Sequence, residues 1–324
     1  MIYIETGSED PYENFALESY LLTEKRLAET VFLFWRTRPT VMLGRHQNIY
    51  REVNLPYVRA RGVRLVRRLS GGGTIYTDPG GWQFSFIEPA AQPGISFQRY
   101  TRPVAEALRG LGVDVRFTGR NDLMVDGKKC SGNAQCVTKG YVLHHGSLLF
   151  DTDLAEMEAC TAVDGDRVRT KGVRSVRERV TNLSTYLAAM DAPAFKEAMV
   201  AGILRGGAVR ALTEEDRARV REEAERFRSR ERIYGRSPAC RIVRFERFAG
   251  GLVEAHVDVT GETVTQLALH GDFFSAADVD SLCRAMIGCA YDRASLLARL
   301  RASGFADALY DITPEEIVRV MAEA

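Results

Sequence analysis

From Val31 to Ile87 the chain breaks into short segments rich in β-branched and aromatic residues, Val31–Arg36, Thr40–Gly44, Val63–Arg68, Gly73–Thr77 and Trp82–Ile87, separated by glycines and prolines. That punctuation constrains the fold more than any other feature. A parallel strand pair needs a crossover of roughly a dozen residues or more, whereas a hairpin needs only a few. Most gaps here are hairpin-short, so the pattern predicts an α+β fold with a mixed, largely antiparallel sheet and argues against a doubly wound parallel one. Further strand signals lie at Val113–Thr118, Asp122–Val125 and Val142–Phe150. Helices are predicted after Asp10-Pro11, a capping residue followed by a proline suited to the first helical position, and from about Gln98 to Leu111. The second has Val104, Leu108 and Leu111 on one face and Gly112 as its stop.

At 324 residues the chain has room for about two domains. From Ala211 to Arg232 it is densely charged with alternating signs. Thr213 and Asp216 form a capping box, Glu215 with Arg219 and Glu222 with Arg226 are favourable i,i+4 pairs, and Leu212, Val220, Ala224 and Phe227 make a narrow apolar stripe. This predicts a solvated helix closing a first domain over residues 1–234. A second domain over 240–324 is predicted after Gly235 and Pro238, with strands Arg241–Phe248, Leu252–Val259 and Thr263–His270. Its first helix should run from a Ser275/Asp278 capping box through Val279, Leu282, Cys283, Met286 and Ile287, and its last should start at Thr313-Pro314.

The 44 basic and 43 acidic residues nearly cancel, which argues against a binder that coats nucleic-acid phosphates. No apolar run approaches the roughly 20 residues that span a membrane. None of the six cysteines forms a C-x-x-C pair, so neither a disulfide scaffold nor a structural zinc site is expected. The expectation is a cytoplasmic enzyme with no nucleic-acid and no membrane partner.

Chemistry is concentrated in three places. In Arg67-Arg68-Leu69-Ser70-Gly71-Gly72-Gly73-Thr74 a strand ends in two arginines and turns through three glycines, which lets backbone amides approach an anion while guanidinium forks meet its oxygens. The plain alternative is a hairpin loop with solvated arginines. The second place, Asn121-Asp122 followed by Asp126-Gly127-Lys128-Lys129, offers oxygen donors for hydrated Mg²⁺ and a lysine, yet Asp-Gly is also an ordinary hairpin tip. Lys128 and Lys129 must face opposite sides of a strand, so only one can enter a site. The third is His144-His145, whose rings point to opposite faces and so cannot share one metal.

In their order, RRLSGGGTIYTD, GRNDLMVDGKKCSGNA, HHGSLLFDTDL and KGVRSVRERVTNL are similar to the motifs of the lipoate–protein ligase family, in its long bacterial form with a C-terminal accessory domain. DPYENFALE, LGRHQN and YGRSP add weaker agreement, so the resemblance covers nearly the whole chain. It implies a biotin/lipoate ligase-like catalytic domain and a small α/β accessory domain. It also implies a reaction: Mg²⁺-ATP activates lipoate to lipoyl-adenylate, and the lipoyl group passes to a specific lysine of an apo lipoyl domain. The carrier would be a 2-oxoacid dehydrogenase subunit or the glycine-cleavage H protein.

By the same resemblance Lys129 is the catalytic lysine, reaching both acyl carbonyl and phosphate. Arg68 touches the nucleotide. Gly71, Gly72 and Gly73 follow the lipoyl tail, and Gly73, Thr74, Ile75 and Tyr76 lie against the adenylate. Asn121 and Asp122 sit at the phosphate end, with Asp122 as the Mg²⁺ ligand; His145 joins the binding residues, and Lys171 to Asn182 form a loop over the adenine. Phe34, Trp35, Leu43 and Phe84 are candidates for the apolar slot, with core packing as the alternative. Arg174, Arg177 and Arg179 are candidates for meeting an acidic carrier.

The sequence departs from the family pattern where Thr77 replaces the usual histidine, Gly81 the usual asparagine and Cys130 an aliphatic residue. The rival reading is an octanoyltransferase of the same superfamily, which would need Cys130, Cys136 or Cys160 as nucleophile. A biotin–protein ligase would carry a GRGR-type loop that is absent. The accessory domain is expected to reorient about the Tyr234–Pro238 junction once the adenylate forms.

Overall fold

The computed structural model describes residues 1–90, 94–118, 121–161, 179–234, 242–260 and 263–322. Its main sheet takes strands in the order β11-β1-β2-β6-β10-β9-β8-β7. These are β1 (Ile2–Tyr3), β2 (Val31–Trp35), β6 (Gly81–Pro89), β7 (Arg116–Thr118), β8 (Asp122–Val125), β9 (Lys128–Thr138), β10 (Tyr141–Leu149) and β11 (Ala208–Val209). Only β1 pairs in parallel, with β2 and β11; from β2 to β7 every pairing is antiparallel. A small sheet joins β3 (Thr40–Leu43) in parallel to β4 (Arg64–Arg67) and antiparallel to β5 (Ile75–Thr77).

Both faces of the main sheet are covered, and β2 shows how. Its sequence Val-Phe-Leu-Phe-Trp is buried throughout, because Phe32 and Phe34 face one core while Val31, Leu33 and Trp35 face another. The first core is closed by helices Phe97–Gly110 and Ala192–Leu204 through Val104, Leu108, Phe195 and Met199. The second is closed by helices Pro11–Tyr20 and Glu214–Arg228 through Phe15, Leu17, Val220 and Phe227. The expected Thr213/Asp216 capping box is present. Arg219, however, pairs with Glu24 and Glu222 rather than with Glu215, because the helix lies against the first helix and its tail instead of in open solvent.

The C-terminal unit is an antiparallel sheet of β12 (Ile242–Phe248), β13 (Gly251–Thr260) and β14 (Thr263–Gly271), backed by helices Val279–Met286, Arg293–Ala302 and Pro314–Met321. It has its own core, including Val253, Ala255, Val257, Leu282, Leu296 and Ile317. The Ser275/Asp278 box is not what starts the helix. Asp278 is itself the cap, accepting from the Ser281 amide, while the Ser275 hydroxyl donates to the carbonyls of Ala277 and Ala308. Ile287, placed on the buried stripe by periodicity, follows the helix end and is exposed.

This unit is seated on the N-terminal fold. The Gly271 amide donates to the His46 carbonyl at 2.6 Å and the Gly72 amide to the Phe273 carbonyl at 3.0 Å. His46 stacks on Phe273 with centroids 5.0 Å apart, and Phe274 meets Phe97 edge-on at 4.9 Å. The polar face of β13 is buried here too: Glu254 and His256 contact each other and His256 meets the His270 ring edge-on at 4.8 Å.

Candidate active site

The glycine-rich loop between β4 and β5 is shaped from within. The buried Arg68 guanidinium donates to the carbonyls of Met42 (2.9 Å), Gly71 (3.0 Å) and Gly73 (2.6 Å). Burial lowers its pKa from 12.5 to about 10, so it remains a cation at neutral pH. Arg67, expected beside it as a second arginine for an anion, has a different task. It donates to the carbonyls of Gly44 (2.9 Å), Gln47 (2.6 Å) and Ile233 (2.8 Å), tying the loop after β3 to the end of the catalytic fold. Adjacent strand residues point to opposite sides, so the two arginines cannot share one ligand.

The glycines divide as well. A Cβ on Gly71 would lie 2.2 Å from the Phe273 carbonyl oxygen, and Gly72 has φ +89°, which disfavours any side chain. Gly73 meets nothing nearer than 3.8 Å. Thr74 and the Gly44 amide both donate to Gln47 Oε1, at 2.7 and 2.8 Å. Ile75 and Tyr76 pair with Met42 and Val41, and the Tyr76 ring is in the core of the small sheet.

Behind the loop lies a buried polar chain. Ser70 Oγ is 2.5 Å from His145 Nε2, and His145 Nδ1 is 3.1 Å from both Glu18 oxygens. Ser85 donates to Glu18 at 2.5 Å and accepts from Trp35 Nε1 at 3.0 Å. His145 was predicted; Ser70 and Glu18 were not. Glu18 was legible in principle, as a carboxylate one helical turn from Phe15 on the buried face of the first helix. Of the proposed slot residues only Trp35 adjoins this chain. Phe34 and Phe84 are in the core on the sheet's other face, and Leu43 is in the small-sheet core.

Lys129 and Asp122 come together on neighbouring strands, with Nζ 2.8 Å from Oδ1 and both side chains about one-third exposed. Lys128 is exposed on the opposite side, as strand geometry requires. The turn between β8 and β9 has positive φ at both Asp126 (49°) and Gly127 (74°), the hairpin signature read from Asp-Gly. A side chain at position 132 would lie 2.9 Å from Lys129 Nζ, so Gly132 leaves the space that the amine occupies. An exposed pair of this kind contributes less than about 1 kcal/mol, so Lys129 can exchange Asp122 for a substrate oxygen at little cost. Asn121 is not free in the same way, because its side chain donates to the Asn133 carbonyl at 2.5 Å.

Lys171, Arg174 and Arg177 lie outside the described residues; Arg179 is exposed. Where the chain is described again it runs beside the lysine, the Thr181 amide donating to the Lys129 carbonyl at 3.0 Å. Among the described residues no group of three or more His, Cys, Asp or Glu is placed to hold a metal ion. A single half-exposed carboxylate such as Asp122 suits Mg²⁺ that keeps its waters and is otherwise held by phosphate oxygens.

The cysteines are chemically quiet. Burial pushes the thiols of Cys130, Cys136 and Cys160 up to about 12, far from the thiolate a nucleophile needs. The departures Thr77 and Gly81 are coupled: a Cβ on Gly81 would lie 2.8 Å from Thr77 Oγ1, which accepts from Gln83 at 2.8 Å. A cavity of about 960 Å³ reaches the base of the glycine-rich loop, lined by Arg67, Arg68 and Leu69 together with Arg45, Arg232 and His270; Lys129 does not line it.

A loop of constrained backbone, an arginine charged at neutral pH and a partly exposed lysine are the kinds of group that acyl and phosphoryl transfer between anions requires. Residues 10–204 match the model of the lipoyl protein ligase A/B catalytic domain, and residues 237–321 that of the bacterial lipoate protein ligase C-terminus. Lipoate–protein ligase 1 of Staphylococcus aureus is 34% identical over 317 residues, covering 96% of this chain and 97% of its own. A P. falciparum LipL1 structure in complex with lipoate superimposes with a TM-score of 0.78 over 92% of this chain and 93% of its own, at 19% identity. A bi-partite lipoate protein ligase of Thermoplasma acidophilum, solved with its E2 lipoyl domain, gives 0.64 at 25% identity over 74% and 98%. The chain belongs to the lipoate–protein ligase family.

Proposed function

We propose that the protein activates lipoate with ATP to lipoyl-adenylate and pyrophosphate, and then transfers the lipoyl group to one lysine of an apo lipoyl domain. The observation that carries this reading is the Lys129–Asp122 pair, whose amine has the clearance of Gly132 on one side and no stronger partner to leave. In the first step a lipoate carboxylate oxygen attacks the α-phosphorus and the bond to pyrophosphate breaks. Both reactants are anions, so Lys129 Nζ, placed between carboxylate and phosphate, offsets their repulsion. In the second step the acceptor amine attacks the acyl carbon and AMP leaves; the same ammonium stabilises the oxyanion. Arg68 acts by fixing the carbonyls of Gly71 and Gly73, so the loop along the tail is already formed when the acyl chain arrives. Asp122 is the residue that would hold Mg²⁺, which supplies charge neutralisation on the phosphates when bound.

The carriers would be lipoyl domains of 2-oxoacid dehydrogenase complexes or the glycine-cleavage H protein, met in the cytoplasm. The E2 lipoyl domain described as belonging to the Thermoplasma ligase supports this partner class. Among the described residues no helix is long and apolar enough to cross a membrane. Burial that pushes the three thiols up, and a Cys130 thiol that donates to the Leu123 carbonyl at 3.4 Å, speak against thioester transfer. We also read residues 1–234 as the catalytic domain and 240–324 as an accessory domain that must leave the Gly72 amide before a ligand can take it; the matched residue ranges and separate cores support that division.

The test is the intact mass of an apo lipoyl domain after incubation with the protein, Mg²⁺ and lipoate, with and without ATP. An ATP-dependent lipoyl increment is expected. Octanoylation from acyl carrier protein without ATP, and no lipoyl increment, would overturn the reading.

A further inference from the structure

The Lys129–Asp122 pair is loosely bonded, and β8, which carries Asp122, is short and slips register against β9 between Leu123 and Met124. What fixes Asp122 is the residue before it. The Asn121 carbonyl accepts from the backbone amide of Asn133 (3.1 Å) and from its side chain (2.9 Å), while the Asn121 side chain donates to the Asn133 carbonyl (2.5 Å). The two asparagines form a reciprocal clamp across the strands, flanking Asp122 and Gly132.

The clamp has a second anchor. Because Asn133 Nδ2 donates to Asn121, its Oδ1 must accept, and the group 3.3 Å away is His144 Nε2 on β10. His144 is fully buried, stacked on Tyr100 at 4.8 Å and edge-on to Phe97 at 5.9 Å. Burial holds its pKa well below 6.5, with the neighbouring His145 acting in the same direction, so the ring is neutral and keeps its proton on Nε2. Among the described residues Nδ1 has no hydrogen-bond partner, which leaves the Asn133 contact as the ring's hydrogen bond there. Gly146, two residues on, serves the same atom: a Cβ there would lie 2.4 Å from Asn133 Oδ1. The His-His-Gly and Ser-Gly-Asn motifs are therefore two halves of one device.

We propose that His144 is a positioning residue for the ligase reaction, acting through Asn133 and Asn121 to hold Asp122 and Lys129 in register for adenylate formation. This rests on the ligase reading and on Lys129 as its catalytic lysine. His144 touches no reacting atom; its effect is on the geometry of those that do, where a misplacement of about 1 Å costs on the order of a hundredfold.

The test compares His144→Gln, whose amide N–H reaches the same acceptor, with His144→Leu, which fills the space without a donor. ATP-dependent pyrophosphate release and lipoate affinity by calorimetry are measured for both. His144→Leu is expected to lose kcat by roughly 10- to 100-fold with lipoate Kd changed less than about twofold, and His144→Gln to retain kcat within about threefold. Equal kcat in wild type and His144→Leu, or an equal loss in both variants, overturns the proposal. Wild type that releases no pyrophosphate would instead overturn the ligase reading. Should His144→Leu not fold, ¹⁵N NMR of labelled histidine in the wild type decides. The neutral Nε2–H form must persist where free imidazole titrates and must shift in Asn133→Ala; a charged or Nδ1–H ring sinks the idea.

Discussion

The glycine-rich loop and the Lys129 hairpin both carry signature motifs, yet they are bonded in opposite ways. In the loop the arginine and serine side chains and one glycine amide are engaged by protein: Arg67 and Arg68 by carbonyls, Ser70 by His145, the Gly72 amide by Phe273. In the hairpin the Lys129–Asp122 pair is about one-third exposed and joined by one contact, while the surrounding frame is clamped by Asn121 and Asn133. The difference teaches a division of labour. Under the proposed reaction, a loop that follows a long acyl chain gains from being formed in advance, whereas a cation that serves two successive transition states gains from having a weak resting partner.

If the contrast is real, damage on the two sides should separate stability from rate. Arg67→Met is expected to have the largest effect on stability, roughly 3–5 kcal/mol, since it strands the buried carbonyls of Gly44, Gln47 and Ile233. Urea denaturation measures it; a loss below about 1 kcal/mol would mean those carbonyls find other donors. Lys129→Ala should do the reverse, lowering the rate of adenylate formation by about 10²–10³ while leaving the urea midpoint almost unchanged. A variant that loses both together would break the comparison.

How much of this was legible in the sequence follows the same division. The strands of the cores were readable because Val-Phe-Leu-Phe-Trp and its like have strong β propensity and burial on both faces. β9 was read as extended only at its start, where Lys128 and Lys129 alternate, and not along its length, because Ser-Gly-Asn-Ala-Gln is made of residues suited to clearance and hydrogen bonding, and pairing with β8 and β10 makes it extended. Of the site, Lys129, Asp122 and Arg68 were named through the family resemblance, which gave neither the Lys129–Asp122 contact nor the bonding of Arg68 to the carbonyls of Met42, Gly71 and Gly73. The strut role of Arg67, the Glu18–His145–Ser70 chain and the seat of Phe273 were not, since each depends on which residues distant in sequence meet in space.

The cover over the cradle offers a pH test. His270 faces His256 and Glu254 on β13 and Arg67 across the junction, and burial lowers its pKa from 6.5 to about 4. As pH falls below 6.5 the unfolded chain takes up the proton first, so the contribution is fully present above that value and is lost on the way down to about 4. The total is at most roughly 3 kcal/mol, at 1.36 kcal/mol per unit. Urea midpoints at a series of pH values should therefore fall less steeply in His270→Asn than in wild type, and parallel curves would remove His270 as the cause.

The smallest effect divides the loop itself. Gly71→Ala places a methyl 2.2 Å from the Phe273 carbonyl, which must move, at a cost of about 1–3 kcal/mol in the seating of the C-terminal unit. Gly73→Ala meets only the Asp272 side chain at 3.8 Å, so it should leave that seating intact. Hydrogen exchange at the Gly72 amide, which donates to Phe273, reads the difference directly. Faster exchange in Gly71→Ala alone would mean that the loop's glycines serve two clients, the docked domain at Gly71 and the ligand at Gly73. Faster exchange in both would mean instead that the loop moves as one piece, and that the preformed cradle is less rigid than its saturated bonding implies.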